Sequence, residues 1–171
     1  MTVRFLDVNT VSLDQLSLWD SWLAEEKRQR LDRMPEKNYL QSLCGDGLAR
    51  EMLGEMLGIA PESVVFTYTE NGKPMTDGAF FSVSHSGDIV ACAVSDREVG
   101  LDVECRRPAP SRVADAVGSE DFWQFWTRRE AAIKCCGGTL GQWKKKKEED
   151  GFRFTEIEMP GGYVAVVCEK E

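Results

Sequence analysis

Residues 79–104 read AFFSVSHSGDIVACAVSDREVGLDVE. Three apolar-rich runs, 79–84, 89–95 and 99–104, are broken by His-Ser-Gly-Asp and by Asp96-Arg97, which predicts an antiparallel meander of three strands. Alternation then sets which way each side chain points. Leu101 and Val103 face a core, so Asp102 and Glu104 share the opposite face. Neighbouring carboxylates repel unless something positive lies between them. A hard divalent cation with oxygen ligands is one answer; a solvated strand edge is the other reading of this D-x-E. The same stretch holds His85, the chain's only histidine, flanked by Ser84, Ser86 and Gly87. Small donors and free backbone there suit a phosphate, although a histidine in a turn is equally at home in a structural role.

A second stretch, FWQFWTRREAAIKCCG at 122–137, has the spacing of a helix. Ser119 is placed to cap it, Glu120 and Asp121 lie in its first turn, and Gly137-Gly138 stops it. Glu130 and Lys134 stand one turn apart, as in a surface ion pair or a site, with Trp126 on the same face. Three acids, one imidazole and one ammonium together point to a metal-assisted site for a phosphorylated substrate.

Working outward, residues 3–8 alternate as an edge strand and 13–23 carry Leu16, Trp19, Trp22 and Leu23 at helical spacing. EEKRQRLDRMPEKN follows, its Lys27, Arg28, Arg30 and Arg33 forming either a solvated face or an anion contact. A long helix is predicted after Pro35, ending at Gly58 as a C-cap. Gly45 and Gly47 inside it each cost about 1 kcal/mol relative to Ala, and leave room for a close neighbour or ligand or simply relieve crowding. Residues 64–69 read as a strand and ENGKP as a turn carrying Lys73. RRPAPS at 106–111 is the best junction in the chain, and 142–150 is a polar, lysine-rich surface segment. A closing hairpin is expected from 152–157 and 163–168 around Pro160-Gly161-Gly162. Each half has a helix followed by strands. The expectation is therefore α+β, with an N-terminal lobe at 1–104 and a C-terminal lobe at 105–171.

The totals narrow the class. With 171 residues, 42% apolar and 29% charged, the composition is ordinary for a globular chain. No apolar run approaches the roughly 18 residues of a membrane span. The start, MTVRFLDVNT, lacks the layout of a signal peptide, so cytoplasm is expected. A net charge of −8 argues against nonspecific nucleic-acid binding. The six cysteines form no C-x-x-C pair, and one histidine cannot complete a Cys/His zinc set, so reduced structural thiols are expected.

In order, NGKP, FSVSHSG, VGLDVE and FWTRREAAIK with its following glycines resemble the 4′-phosphopantetheinyl transferases of the longer, monomeric, surfactin-synthetase-activating type, over roughly 27–140. The resemblance implies two similar α/β lobes packed as a pseudo-dimer, the second trimmed here, with the site between them. It implies Mg²⁺-dependent transfer of 4′-phosphopantetheine from coenzyme A to a serine of an apo acyl or peptidyl carrier protein, releasing 3′,5′-ADP. The metal acids would be Asp102, Glu104 and Glu130; Lys134 would approach the phosphates, and Glu130 or a metal-bound water would take the serine proton. Lys73, Ser84 and His85 would contact the coenzyme, as would Ser42 in QSLCGDGLAR together with Lys27 and Arg30. Arg129 stands where the pattern has Lys and Ala132 where it has an aromatic residue. With Arg129 and the short C-terminal region, a module that binds coenzyme A or carrier without transfer is the alternative.

Overall fold

Side-chain alternation on the two middle strands sets the layers of this molecule. The computed structural model describes residues 1–108, 122–138 and 151–171. In chain order these form β1 (Thr2–Asp7), α1 (Leu13–Ser21), α2 (Glu25–Leu31), α3 (Glu36–Leu57), β2 (Thr67–Tyr68), β3 (Pro74–Met75), β4 (Phe80–Ser86), β5 (Ile89–Ser95), β6 (Val99–Cys105), α4 (Phe122–Cys135), β7 (Phe152–Ile157) and β8 (Tyr163–Lys170). One antiparallel sheet has the order β1-β5-β4, another β6-β8-β7, and β2 and β3 form a small hairpin.

β5 is buried at every position, which accounts for its unbroken apolar run IVACAV. Ile89, Ala91 and Ala93 pack against Val99, Leu101 and Val103 of β6 and Ala165 and Val167 of β8, making the core between the sheets. Val90, Cys92 and Val94 point the other way, into clusters with α3. On β8, Val166 and Cys168 meet Ala131, Ala132 and Cys135 of α4. The layers are helix, sheet, sheet, helix, a mixed α/β chain of the expected class.

The expected three-strand meander is corrected here. β5 pairs with β4 on one edge and β1 on the other, so no edge of β5 remains for β6. β6 crosses into the second sheet and pairs with β8, Asp102 opposite Val166 and Glu104 opposite Val164. The strand expected at 64–69 also shrinks, to Thr67–Tyr68. Val64 is buried, and Phe66 stacks on Phe81 at 5.1 Å, so side-chain packing rather than a ladder orders that segment.

The remaining elements follow their local signals. α3 starts after Pro35, with Glu36 in its first turn, and ends on Gly58 at φ 68°. Gly47 faces the indole of Trp19, which stands where a Cβ would lie, so a side chain of α1 fills the room the glycine leaves. Gly100 lets α4 approach β6: a Cβ there would sit 2.0 Å from the Ala131 carbonyl oxygen. None of the six cysteines is in a disulfide. No helix among the described residues is long and apolar enough to cross a membrane. The expected capping residues 119–121 and the lysine-rich segment at 142–150 lie outside the described residues.

Candidate active site

The acids of β6 and the motif residues of α4 meet because Gly100 seats the helix on the strand. Lys134 Nζ donates to Asp102 Oδ1 at 2.6 Å and to Ser84 Oγ at 2.8 Å. Ser84 Oγ in turn donates to Asp102 Oδ1 at 2.9 Å. Asp102 is buried, its side chain 7% exposed, so this cation satisfies a charge with little water to solvate it. Glu104, half-buried two residues on, accepts from Ser86 Oγ at 2.9 Å.

Glu130 faces the same cluster. Its own burial, then the Asp102 charge, with Glu104 adding to both, hold its carboxyl above the ordinary glutamate range; Lys134 and Arg129 oppose the shift. Two buried carboxylate oxygens, Asp102 Oδ2 and Glu130 Oε1, have no hydrogen-bond partner among the described residues. Among those residues, no three His, Cys, Asp or Glu side chains stand as a preformed metal cage. The donor chemistry still fits a hard cation: oxygen-only ligands, two of them orphaned and facing surplus negative charge.

On the other face of β4, His85 points into a cavity of about 360 Å³. Lys27, Arg30, Ser42 and His85, named separately from the sequence, all line it, with Gln41 and Phe81 beside them. His85 is exposed at the mouth. Partial desolvation there, then the Lys134 charge, hold its imidazole below the ordinary histidine value, with Asp102 acting against them. Arg30 forms no ion pair with any described residue and is the most available cation of this wall. A second cavity of about 430 Å³ shares Lys27 and Arg30.

Lys73 stands apart from that gathering. Its ammonium donates to the carbonyls of Lys134 at 2.6 Å, Val99 at 3.2 Å and Cys135 at 3.3 Å, closing the C-terminus of α4. Burial pushes its pKa down. Three residues that sequence reasoning passed over also matter. Asp46, with no exposed side-chain surface, pairs with Lys27 through Oδ2 and with Arg50 through Oδ1 at 2.5 Å, fixing Lys27 in the cavity wall. Gln41 Nε2 donates to the Gly87 carbonyl at 2.9 Å and steadies the turn after His85. Tyr163 Oη accepts from the Asp88 backbone N–H at 3.1 Å, so β8 braces that turn as well. The Asp46–Arg50 pair was readable as an i,i+4 acid and base; its reach to Lys27 was not.

This is a mixed α/β chain with a cavity lined by Lys27, Arg30 and His85 on one side of a strand and a carboxylate–lysine cluster on the other. A family model described as 4′-phosphopantetheinyl transferase, N-terminal, matches residues 10–97. The chain belongs to the 4′-phosphopantetheinyl transferase family. It is 29% identical to the 4′-phosphopantetheinyl transferase gsp of Aneurinibacillus migulanus, over 75% of this chain and 62% of that protein. Its identity is 27% to the 4′-phosphopantetheinyl transferase of Bacillus subtilis, over 82% and 73%. To the 4′-phosphopantetheinyl transferase AcpT of Salmonella typhimurium it is 38%, over 54% and 58%. The chain thus spans less than two thirds of the Aneurinibacillus and Salmonella proteins.

Proposed function

We propose that the chain transfers the 4′-phosphopantetheine group of coenzyme A to a serine hydroxyl of an apo acyl or peptidyl carrier protein, releasing 3′,5′-ADP. The reading makes it a monomer of the cytoplasm that needs neither nucleic acid nor membrane, with its site between an N-terminal and a C-terminal lobe. The observation that carries it is the single cavity lined by Lys27, Arg30, Ser42 and His85, backed across β4 by the Ser84–Lys134–Asp102 cluster.

In this reading Lys27, Arg30, Ser42 and His85 bind the coenzyme's phosphates. Asp46 presents Lys27 to them, and Ser84 adds a hydroxyl on the inner face of the strand. Lys134 offsets negative charge that builds on the leaving oxygen of 3′,5′-ADP as the P–O bond breaks. Glu130, its carboxylate made more basic by burial and neighbouring acids, accepts the proton of the carrier serine as the new P–O bond forms. Asp102, Glu104 and Glu130 would hold Mg²⁺, whose charge would offset that of the diphosphate. Lys73 acts at one remove, fixing the end of the helix that carries Lys134.

Incubation with coenzyme A, Mg²⁺ and a panel of apo carriers is expected to add one phosphopantetheine mass to a carrier serine. Tight coenzyme A binding by calorimetry with no transfer to any carrier would replace the enzyme with a binding module.

A further inference from the structure

β4 and β6 lie side by side in different sheets, joined by a row of serine hydroxyls in place of a backbone ladder. Ser82 Oγ accepts from the Leu101 N–H at 3.0 Å, Ser84 Oγ from Val103 at 3.2 Å and Ser86 Oγ from Cys105 at 3.0 Å. The separation is 19 residues each time, so the strands run parallel and in register. Alternation puts every second residue of β4 into this seam, which is why 82–86 reads S-x-S-x-S.

The three serines differ in what their protons do. Ser84 donates to Asp102 and Ser86 to Glu104, whereas no acid stands opposite Ser82. Ser84 and Ser86 are each clamped by a backbone N–H they accept from, so each proton has a defined direction toward one carboxylate oxygen. The other oxygen is left over: Asp102 Oδ2 is buried with no hydrogen-bond partner among the described residues, and the Ser86 bond engages only Oε2 of Glu104. A side chain that pins one oxygen of an acid and leaves the second available is what a ligating carboxylate needs from its surroundings.

We infer that Ser86 is a positioning residue for Glu104, turning its carboxylate for a divalent cation that it shares with Asp102 and Glu130. This rests on the metal site of the proposed function. Ser84 has Lys134 on the same hydroxyl and sits beside the cavity, so Ser86 is where the effect is isolated. Loss of such a supporting hydrogen bond typically weakens metal affinity by about 10–100-fold.

The test is direct binding of Mn²⁺, read as loss of the free-ion electron paramagnetic resonance signal, with no coenzyme or carrier present. Wild-type chain is expected to bind, and D102N not to bind. S86A should bind about tenfold more weakly, S86T close to wild type, and S82A like wild type because it removes a seam hydrogen bond without touching an acid. Should S86A not fold, S86C keeps the volume with a weak donor and carries the same expected loss. Equal affinity in wild type and S86A overturns the inference while leaving the metal site standing. Equal weakening in S82A and S86A also overturns it, reducing the row to a structural seam. Wild-type chain that binds no Mn²⁺ removes the metal reading itself, before any variant is compared.

Discussion

Glu130 sits in an environment that opposes its charged form. Because its carboxyl is held above its unfolded value, its contribution is fully present below the unfolded pKa and is lost as pH rises through the folded one. Near neutrality the metal-free chain therefore carries a charge that it would be more stable without. Glu130→Gln should raise the melting temperature at pH 7.5 and do so less at pH 4; Mg²⁺ should stabilise wild type and leave the variant unmoved. Differential scanning calorimetry across pH reads all three. Lys134 has the reverse character. Lys134→Ala strips a buried carboxylate of its cation, an expected loss of about 3 kcal/mol by urea titration, at the low end because the lysine is itself 32% exposed. Glu169, buried between Ser95 Oγ at 2.7 Å and Arg153 at 2.6 Å, has its carboxyl held down by those hydrogen bonds against the cost of burial. Its stabilisation is present above the unfolded glutamate pKa and lost as pH falls through the folded one, so Glu169→Gln should flatten the acid limb of the stability curve.

At the scale of elements, two contacts decide whether α4 presents its motif to β6. Gly100→Ala drives a methyl into the Ala131 carbonyl and the Cys135 backbone. Backbone has nowhere to yield there, so a loss of about 3 kcal/mol is expected in the urea midpoint, with activity falling alongside. Lys73→Met leaves the α4 carbonyls that Lys73 holds without their donor, for about 1–3 kcal/mol. If Lys73 acts through the helix end, this variant should slow turnover with little change in the KM for coenzyme A; a KM rise alone would make it a phosphate contact. Legibility from the sequence divides along the same line. The pairing of Asp102 with Glu104 was visible because strand alternation is local, and Glu130 with Lys134 because helical spacing is local. The C-cap at Gly58 was visible for the same reason. What sequence could not supply was which elements lie together: β6 left the meander once β1 took the free edge of β5, and the contacts of Ser86 with Glu104, Asp46 with Lys27 and Tyr163 with Asp88 all lie across such choices. For Lys73 the family resemblance implies a coenzyme contact, and a lysine in a turn carries no local sign of the helix end that its ammonium reaches.

Over the whole molecule, the apolar clusters share walls. β5 contributes alternate residues to the core between the sheets and to the clusters under α3, so the two sheets are tied together through one shared core. Urea unfolding followed by far-ultraviolet circular dichroism and by tryptophan fluorescence should give superimposable curves with one midpoint; a fluorescence transition preceding the loss of secondary structure would show that the halves separate. The position of β8 has a consequence for biosynthesis. It is the middle strand of its sheet, flanked by β6 and β7, and its first residue braces the turn after His85. During translation, Asp102 and Glu104 leave the ribosome on a strand whose ladder partner among the described residues, β8, follows only at 163–170. A chain cut before β8 would hold both carboxylates on a strand without its ladder partner, so a purified form lacking residues 163–170 should bind no Mn²⁺ where the full chain does.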